Sequence, residues 1–179
     1  METKNPKRVH DGFVKVEKHA DGIEVVRSSD SVVVLLHDVV NGVVLLVSQE
    51  RRPMVSDRNP TGRITECVAG RFDKKLGIKA LAIAEAKEEF GVDLHEGDIQ
   101  ILNGGEPLAL SPGILTERSY LLYAEVRPEQ IEDGEHVRGV GKHEAITRVR
   151  VPVHSLEHMT FDSMSCFALV QWFLREIKH

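Results

Sequence analysis

The chain is short of several things, and each shortage closes off a class of protein. Its 179 residues hold two cysteines, Cys67 and Cys166, too few for a disulfide framework. The expectation is a pair of reduced, buried thiols, which suits a cytoplasm. No apolar run approaches the length needed to cross a bilayer, so no membrane partner is expected. The first residues, METKNPKRVHDG, lack the apolar stretch of a signal peptide. Cations are the minority charge: 23 Lys and Arg stand against 28 Asp and Glu, a formal net charge of −5. That argues against a general nucleic-acid binder, which would carry a basic stripe. Repeats and low-complexity segments are missing too. What remains is 41% hydrophobic and 28% charged, an ordinary globular composition long enough for one sizeable core.

The order of local patterns is readable. Phe13–Lys18 and Ile23–Arg27 flank Ala20-Asp21-Gly22 and read as an N-terminal hairpin. Ser31–His37 and Val43–Gln49 are β-branched runs around Asn41-Gly42, a strong hairpin signal. Ser56–Gly62 reads as a loop, Arg63–Val68 as a short strand, and Leu76–Phe90 as a helix stopped by Gly91. Further strands are expected at Ile99–Leu102, Ser119–Val126 and Ala145–Val151, and a C-terminal helix at Phe161–Ile177. The polar stretch Pro128–Lys142 reads as mobile. Strands around one central helix and one terminal helix imply an α/β fold with a mixed sheet between helices.

The chemistry concentrates in GRFDKKLGIKALAIAEAKEEFGV, residues 70–92. Glu85, Glu88 and Glu89 stand at i, i+3 and i+4, which puts them on one helix face. Like charges at that spacing repel, and no lysine or arginine lies four residues away to compensate. At about 100° per residue, Ile78, Leu81 and Ala82 share the stripe of Glu85 and Glu89, whereas Lys79 and Lys87 do not. An acidic surface helix is the plain alternative. Carboxylates on an inward face instead need hydrogen-bond partners or a metal, and all-oxygen donors suit Mg²⁺ or Mn²⁺.

This stretch resembles the Nudix box, G-x5-E-x7-R-E-U-x-E-E-x-G-U. Gly70, Glu85, Ala86, Glu88, Glu89, Gly91 and Val92 match in spacing, while Leu76 replaces the first Glu and Ala84 the Arg. The resemblance implies a Nudix fold, an α/β/α sandwich with a mixed sheet over residues 31–179, preceded by an N-terminal β-hairpin arm over residues 1–30. Flanking segments are similar to the ADP-ribose and nucleoside-diphosphate-sugar pyrophosphatase branch, the GDP-mannose type in particular. Glu66-Cys67-Val68-Ala69-Gly70 is similar to that branch's entry to the box. Ser111-Pro112-Gly113-Ile114-Leu115-Thr116-Glu117 is similar to its S-P-G-x-x-x-E segment.

What the resemblance implies is Mg²⁺-dependent hydrolysis of the diphosphate linkage in a nucleoside diphosphate sugar or ADP-ribose, with Mn²⁺ as an alternative ion. Glu85, Glu89 and the Ala69 carbonyl would hold metal, with Glu88 and Glu89 taking catalytic roles. Arg51, in Gln49-Glu50-Arg51-Arg52, would grip phosphate through its forked donors. Arg27, Glu66, Gly113 and Glu117 would shape the substrate site. Each also has a plainer reading: a strand-end arginine, a strand-edge charge, a common turn. Glu144, closing the polar stretch, is the matching general base, with Glu132, Asp133 and Glu135 nearby; the stretch could equally be a solvated linker. The branch also implies a homodimer that exchanges its N-terminal sheet. The losses at Leu76 and Ala84 keep an alternative open: a catalytically weakened nucleotide-binding or sensor protein. Among nine histidines only His154 and His158 have helical ligand spacing, with no third ligand, so zinc is not expected.

Overall fold

The computed structural model of the protein describes residues 6–12, 14–72, 75–134 and 146–177. Its first three strands, β1 (Lys7–Asp11), β2 (Lys15–Lys18) and β3 (Glu24–Arg27), form an antiparallel sheet of their own. The sequence predicts a two-stranded hairpin here. The extra strand, KRVHD, is exposed throughout, so no apolar alternation marks it. No residue in any of the three strands is buried. The sheet joins the rest through Val26, whose N–H donates to the Ile114 carbonyl at 2.8 Å and whose carbonyl accepts from Thr116 at 3.0 Å.

The main sheet grows from β4 (Ser31–Asp38) and β5 (Val43–Glu50). Gly42 supplies the positive φ of the turn, and the Asp38 carboxylate accepts from the Val40 and Asn41 N–H groups. Both strands are nearly continuous runs of buried Val and Leu, the pattern of strands covered on both faces. They pair only beside the turn, Leu36–Asp38 with Val43–Leu45. Beyond it other segments take their place. β6 (Arg63–Glu66) pairs with β5 and β7 (Val68–Arg71) with β4, so one stretch of chain changes partner at Cys67. β8 (Ile99–Ile101) and β9 (Leu108–Ala109) both pair antiparallel with β10 (Arg118–Val126), which runs parallel to β4 over its whole length. β11 (Thr147–Pro152) closes the other edge against β5. The sheet is mixed and eight-stranded, with the path β11-β5-β4-β10-β8.

Alternation along β4 divides the core. Val32, Val34 and Leu36 pack with Leu81, Ala82, Ala86 and Phe90 of the first helix, α1 (Ile78–Glu85), and its continuation. Val33 and Leu35 share a second cluster with Cys166, Leu169, Val170 and Phe173 of α2 (Met164–Glu176). The result is an α/β/α sandwich on a mixed sheet.

Two local expectations change. The first helix begins at Ile78, after an N-cap at Gly77, rather than at Leu76. Its last turn, Ala86–Phe90, widens to a π-helix: the Gly91 N–H reaches the carbonyls of Ala86 and Lys87, with Gly91 left-handed at φ 76°. Such π turns recur at functional sites. The start of Pro128–Lys142, expected to be mobile, is docked. Pro128–Gln130 form a 3-10 turn, Ile131 bridges Val92, and the Glu132 N–H donates to the Gly91 carbonyl at 2.9 Å. Glu135 and Glu144 lie outside the described residues.

Candidate active site

Where β4 and β5 part, the inserted segment and the first helix leave a cleft of about 480 Å³. Its lining includes Arg51, Glu66, Ala69, Glu85, Glu88, Glu89 and Glu117, all singled out from sequence. Arg27 and Gly113 do not line it. Arg27 sits on the small sheet, its Nε 2.8 Å from the Glu17 carboxylate, and that partner lowers the Glu17 pKa. Gly113 belongs to a turn in which Ser111 accepts from the Leu115 N–H at 2.8 Å. The competing acid Glu132 is taken up by Lys87 and Arg148.

The inserted segment positions the glutamates. The Ala69 N–H donates to Glu89 Oε2 at 3.1 Å, tying the π turn to β7. A Cβ on Gly70 would overlap the Glu85 carboxyl group, so the first glycine of the motif is a seat for that carboxylate. Glu89 is 8% exposed, and burial, aided by the charges of Glu85 and Glu66, pushes its pKa up to about 8. The Ala69 N–H and Arg51 oppose that rise. A counter-charge for the glutamates is therefore present, but it comes from the end of β5 rather than from the helix.

Arg51 is in turn held by Glu66, Nε to Oε2 at 2.8 Å, and Glu66 also accepts from Gln49 at 3.3 Å. At the other end of the segment, Arg71 donates to Ser28 Oγ at 2.7 Å, and that hydroxyl donates to Glu117 at 2.8 Å. This ties the start of β4, the end of β7 and the loop before β10 together. Arg71, Gln49, Ser31 and Ser119 line the cleft and were missed from sequence. The available signal for Arg71 was its place directly after Gly70. Leu76 and Ala84 also line the cleft and bring apolar side chains to it.

Among the described residues, no three His, Cys, Asp or Glu side chains converge closely enough to hold an ion unaided. Mg²⁺ does not require such a cage, since it is commonly bound by one or two carboxylates with waters and substrate phosphates. Glu85 and Glu89, one seated on a bare Cα and the other buried with its pKa raised, fit that mode of binding. A cleft that gathers glutamates, two arginines and hydroxyl groups suits a polyanion accompanied by a divalent cation.

The chain is similar to the GDP-mannose pyrophosphatase of Yersinia pestis (strain Pestoides F), 31% identical over 140 residues, 78% of this chain and 66% of that protein. It is also similar to the GDP-mannose pyrophosphatase of Yersinia enterocolitica serotype O:8 / biotype 1B, 32% identical over 107 residues, 60% of this chain and 53% of that protein. The chain thus matches just under two thirds of the first relative's length. No family model matches it.

Proposed function

We propose that the chain is a Nudix pyrophosphatase that hydrolyses the diphosphate linkage of a nucleoside diphosphate sugar. The observation that carries this reading is the meeting of Glu85, Glu88 and Glu89 with the Arg51–Glu66 pair in one cleft. The similarity to GDP-mannose pyrophosphatases supports the substrate class and makes GDP-mannose the first compound to try. Water attacks a phosphorus, its proton passes to a carboxylate, and the bond to the bridging oxygen breaks. That carboxylate is Glu144, whose position lies outside the described residues, or else Glu88, exposed in the cleft, or Glu89. Arg51, pre-oriented by Glu66, grips the diphosphate through its remaining donors. Glu85 and Glu89, with the Ala69 carbonyl, would hold Mg²⁺, which neutralises phosphate charge when bound.

The same reading assigns a homodimer, supported by a β1–β3 sheet with no buried residue of its own. The cytoplasm is supported by Cys67 and Cys166, both free and buried. Among the described residues no helix is long and apolar enough to cross a membrane.

Leu76 and Ala84 favour a second reading, a nucleotide-binding protein with weakened catalysis, because neither side chain carries a polar atom to support the glutamates. One assay separates the two. ADP-ribose, GDP-mannose, UDP-glucose and NADH are incubated with Mg²⁺ and wild type or Glu89→Gln, and phosphate is read after phosphatase treatment of the products. Turnover of a nucleotide sugar that Glu89→Gln lacks supports the enzyme. Tight binding of one compound without turnover of any establishes the second reading.

A further inference from the structure

The π turn that carries Glu88 and Glu89 is an irregular stretch of helix, and its outer side is held by groups from three other segments. Its far end is fixed in backbone by the Val92 N–H reaching the Ala86 carbonyl at 3.1 Å and the Asp93 N–H reaching Gln130 at 2.8 Å. Lys87 bonds both Asp93 and Glu132 at 2.8 Å. Beneath these lies Arg148 of β11, a cation whose side chain is 1% exposed.

A buried guanidinium is retained only where several partners compensate its lost hydration. Among the described residues its partners belong to the π turn or the strap across it. The Arg148 guanidinium lies 5.5 Å from the Phe90 ring centre, with Arg150 at 5.6 Å from the same ring. Arg148 also donates to the carbonyls of Glu132 and Gly134 and approaches the Glu132 carboxylate at 3.5 Å. Gly91 makes this possible, since a Cβ there would overlap both Arg148 Nη2 and Glu132. The glycine that ends the helix therefore answers to two demands, a left-handed φ and a passage for this ion pair.

We propose that Arg148 is a positioning residue for the glutamate site. By pressing Phe90 and clamping Glu132 across the turn, it fixes the direction in which Glu88 and Glu89 leave the helix. Neither glutamate touches it among the contacts of the described residues, so its effect passes through Phe90, the neighbour of Glu89. The inference rests on the pyrophosphatase reading of that site.

The test uses the full chain as wild type, Arg148→Met, Arg148→Lys and Glu132→Gln. Mn²⁺ affinity is measured by paramagnetic resonance titration, kcat and KM with GDP-mannose, and folding by near-ultraviolet circular dichroism. Arg148→Met is expected to weaken Mn²⁺ binding about 10-fold, the lower end for a residue supporting metal ligands, and to lower kcat with KM little changed. Arg148→Lys keeps the charge without the planar fork and falls between. Glu132→Gln shifts both readouts in the same direction by less. A lower melting temperature with wild-type Mn²⁺ affinity and kcat would make Arg148 merely structural and overturn the proposal. If Arg148→Met does not fold, Arg148→Lys and Glu132→Gln decide by the same criterion. Wild type that neither binds Mn²⁺ nor cleaves a nucleotide sugar sinks the pyrophosphatase reading, and this inference with it. Active wild type with unchanged variants sinks only the role of Arg148.

Discussion

The two helices cover opposite faces of one sheet and are built to different rules. α2 is regular over thirteen residues, capped by the Ser163 hydroxyl, and buries Cys166, Leu169, Val170 and Phe173. α1 has eight α-helical residues, no side-chain cap and two buried side chains, Leu81 and Ala82. It then runs into a π turn that buries a carboxylate. One helix serves packing; the other gives up regularity and apolar burial to deliver acids to a cleft. Their responses to pH also differ in sign. Glu89 has a folded pKa of about 8, above its ordinary 4.5, so the folded state keeps its proton longer. That contribution to stability is full below about pH 4.5 and is lost as pH rises through 8. His37, against Phe173 on the α2 face, is held below its ordinary 6.5, by burial first of all. The unfolded state then binds the extra proton, so that face loses stability as pH falls below 6.5.

The contrast breaks most visibly at Phe173. Its ring is 1% exposed and lies edge-on to His37 at 4.8 Å. Phe173→Ala is expected to cost about 3–5 kcal/mol in urea unfolding, with the activity per folded molecule retained. Equal loss of activity would mean that the α2 face shares in catalysis. Glu89→Gln should do the reverse. If Glu89 holds metal as proposed, turnover falls about 100-fold or more, since residues that merely support metal ligands already cost 10–100-fold. As pH rises toward 8 the wild type should lose stability that the variant keeps, while both keep the acid-side decline from His37. A calorimetric series with the same alkaline slope in both proteins would assign the slope to another group. Gly70→Ala sits between these extremes. Its new Cβ meets the Glu85 carboxyl group, so about 1–3 kcal/mol is lost through overpacking, together with activity. Thermal melts beside the phosphate assay show whether both fall.

The same contrast explains what the sequence made legible. β4 and β5 end within a residue of expectation, because apolar runs bounded by a turn need no knowledge of their neighbours. The face shared by Glu85 and Glu89 was readable as well, since helical spacing is local. The change of partner at Cys67 was not, because it depends on β4 and β5 diverging. The π turn was hidden too, as it depends on groups packed outside Gly91. Arg148 shows the limit most plainly. In Thr147–Pro152 it alternates with Val149 and Val151 as an exposed strand residue would, yet Phe90 and Glu132 bury it. Arg71 is assigned by Ser28, a residue 43 positions away.

The smallest expected effect is the sharpest probe of the division, because Ser163 stands on both sides of it. Its hydroxyl accepts from the Cys166 N–H at 3.4 Å, satisfying one of the free donors at the start of α2. Ser163 also lines the cleft, as does Ser165 one residue into the helix. If α2 serves packing alone, Ser163→Ala removes a cap and nothing else. Stability then falls by about 1 kcal/mol, with kcat and KM for GDP-mannose unchanged. A rise in KM beyond the stability loss would place the first turn of α2 against the substrate. Ser163→Asp separates the two roles further, since aspartate caps as well as serine but brings a negative charge to a cleft proposed to take a diphosphate. Stability should return toward wild type in that variant, and KM should stay put only if the substrate never reaches the helix.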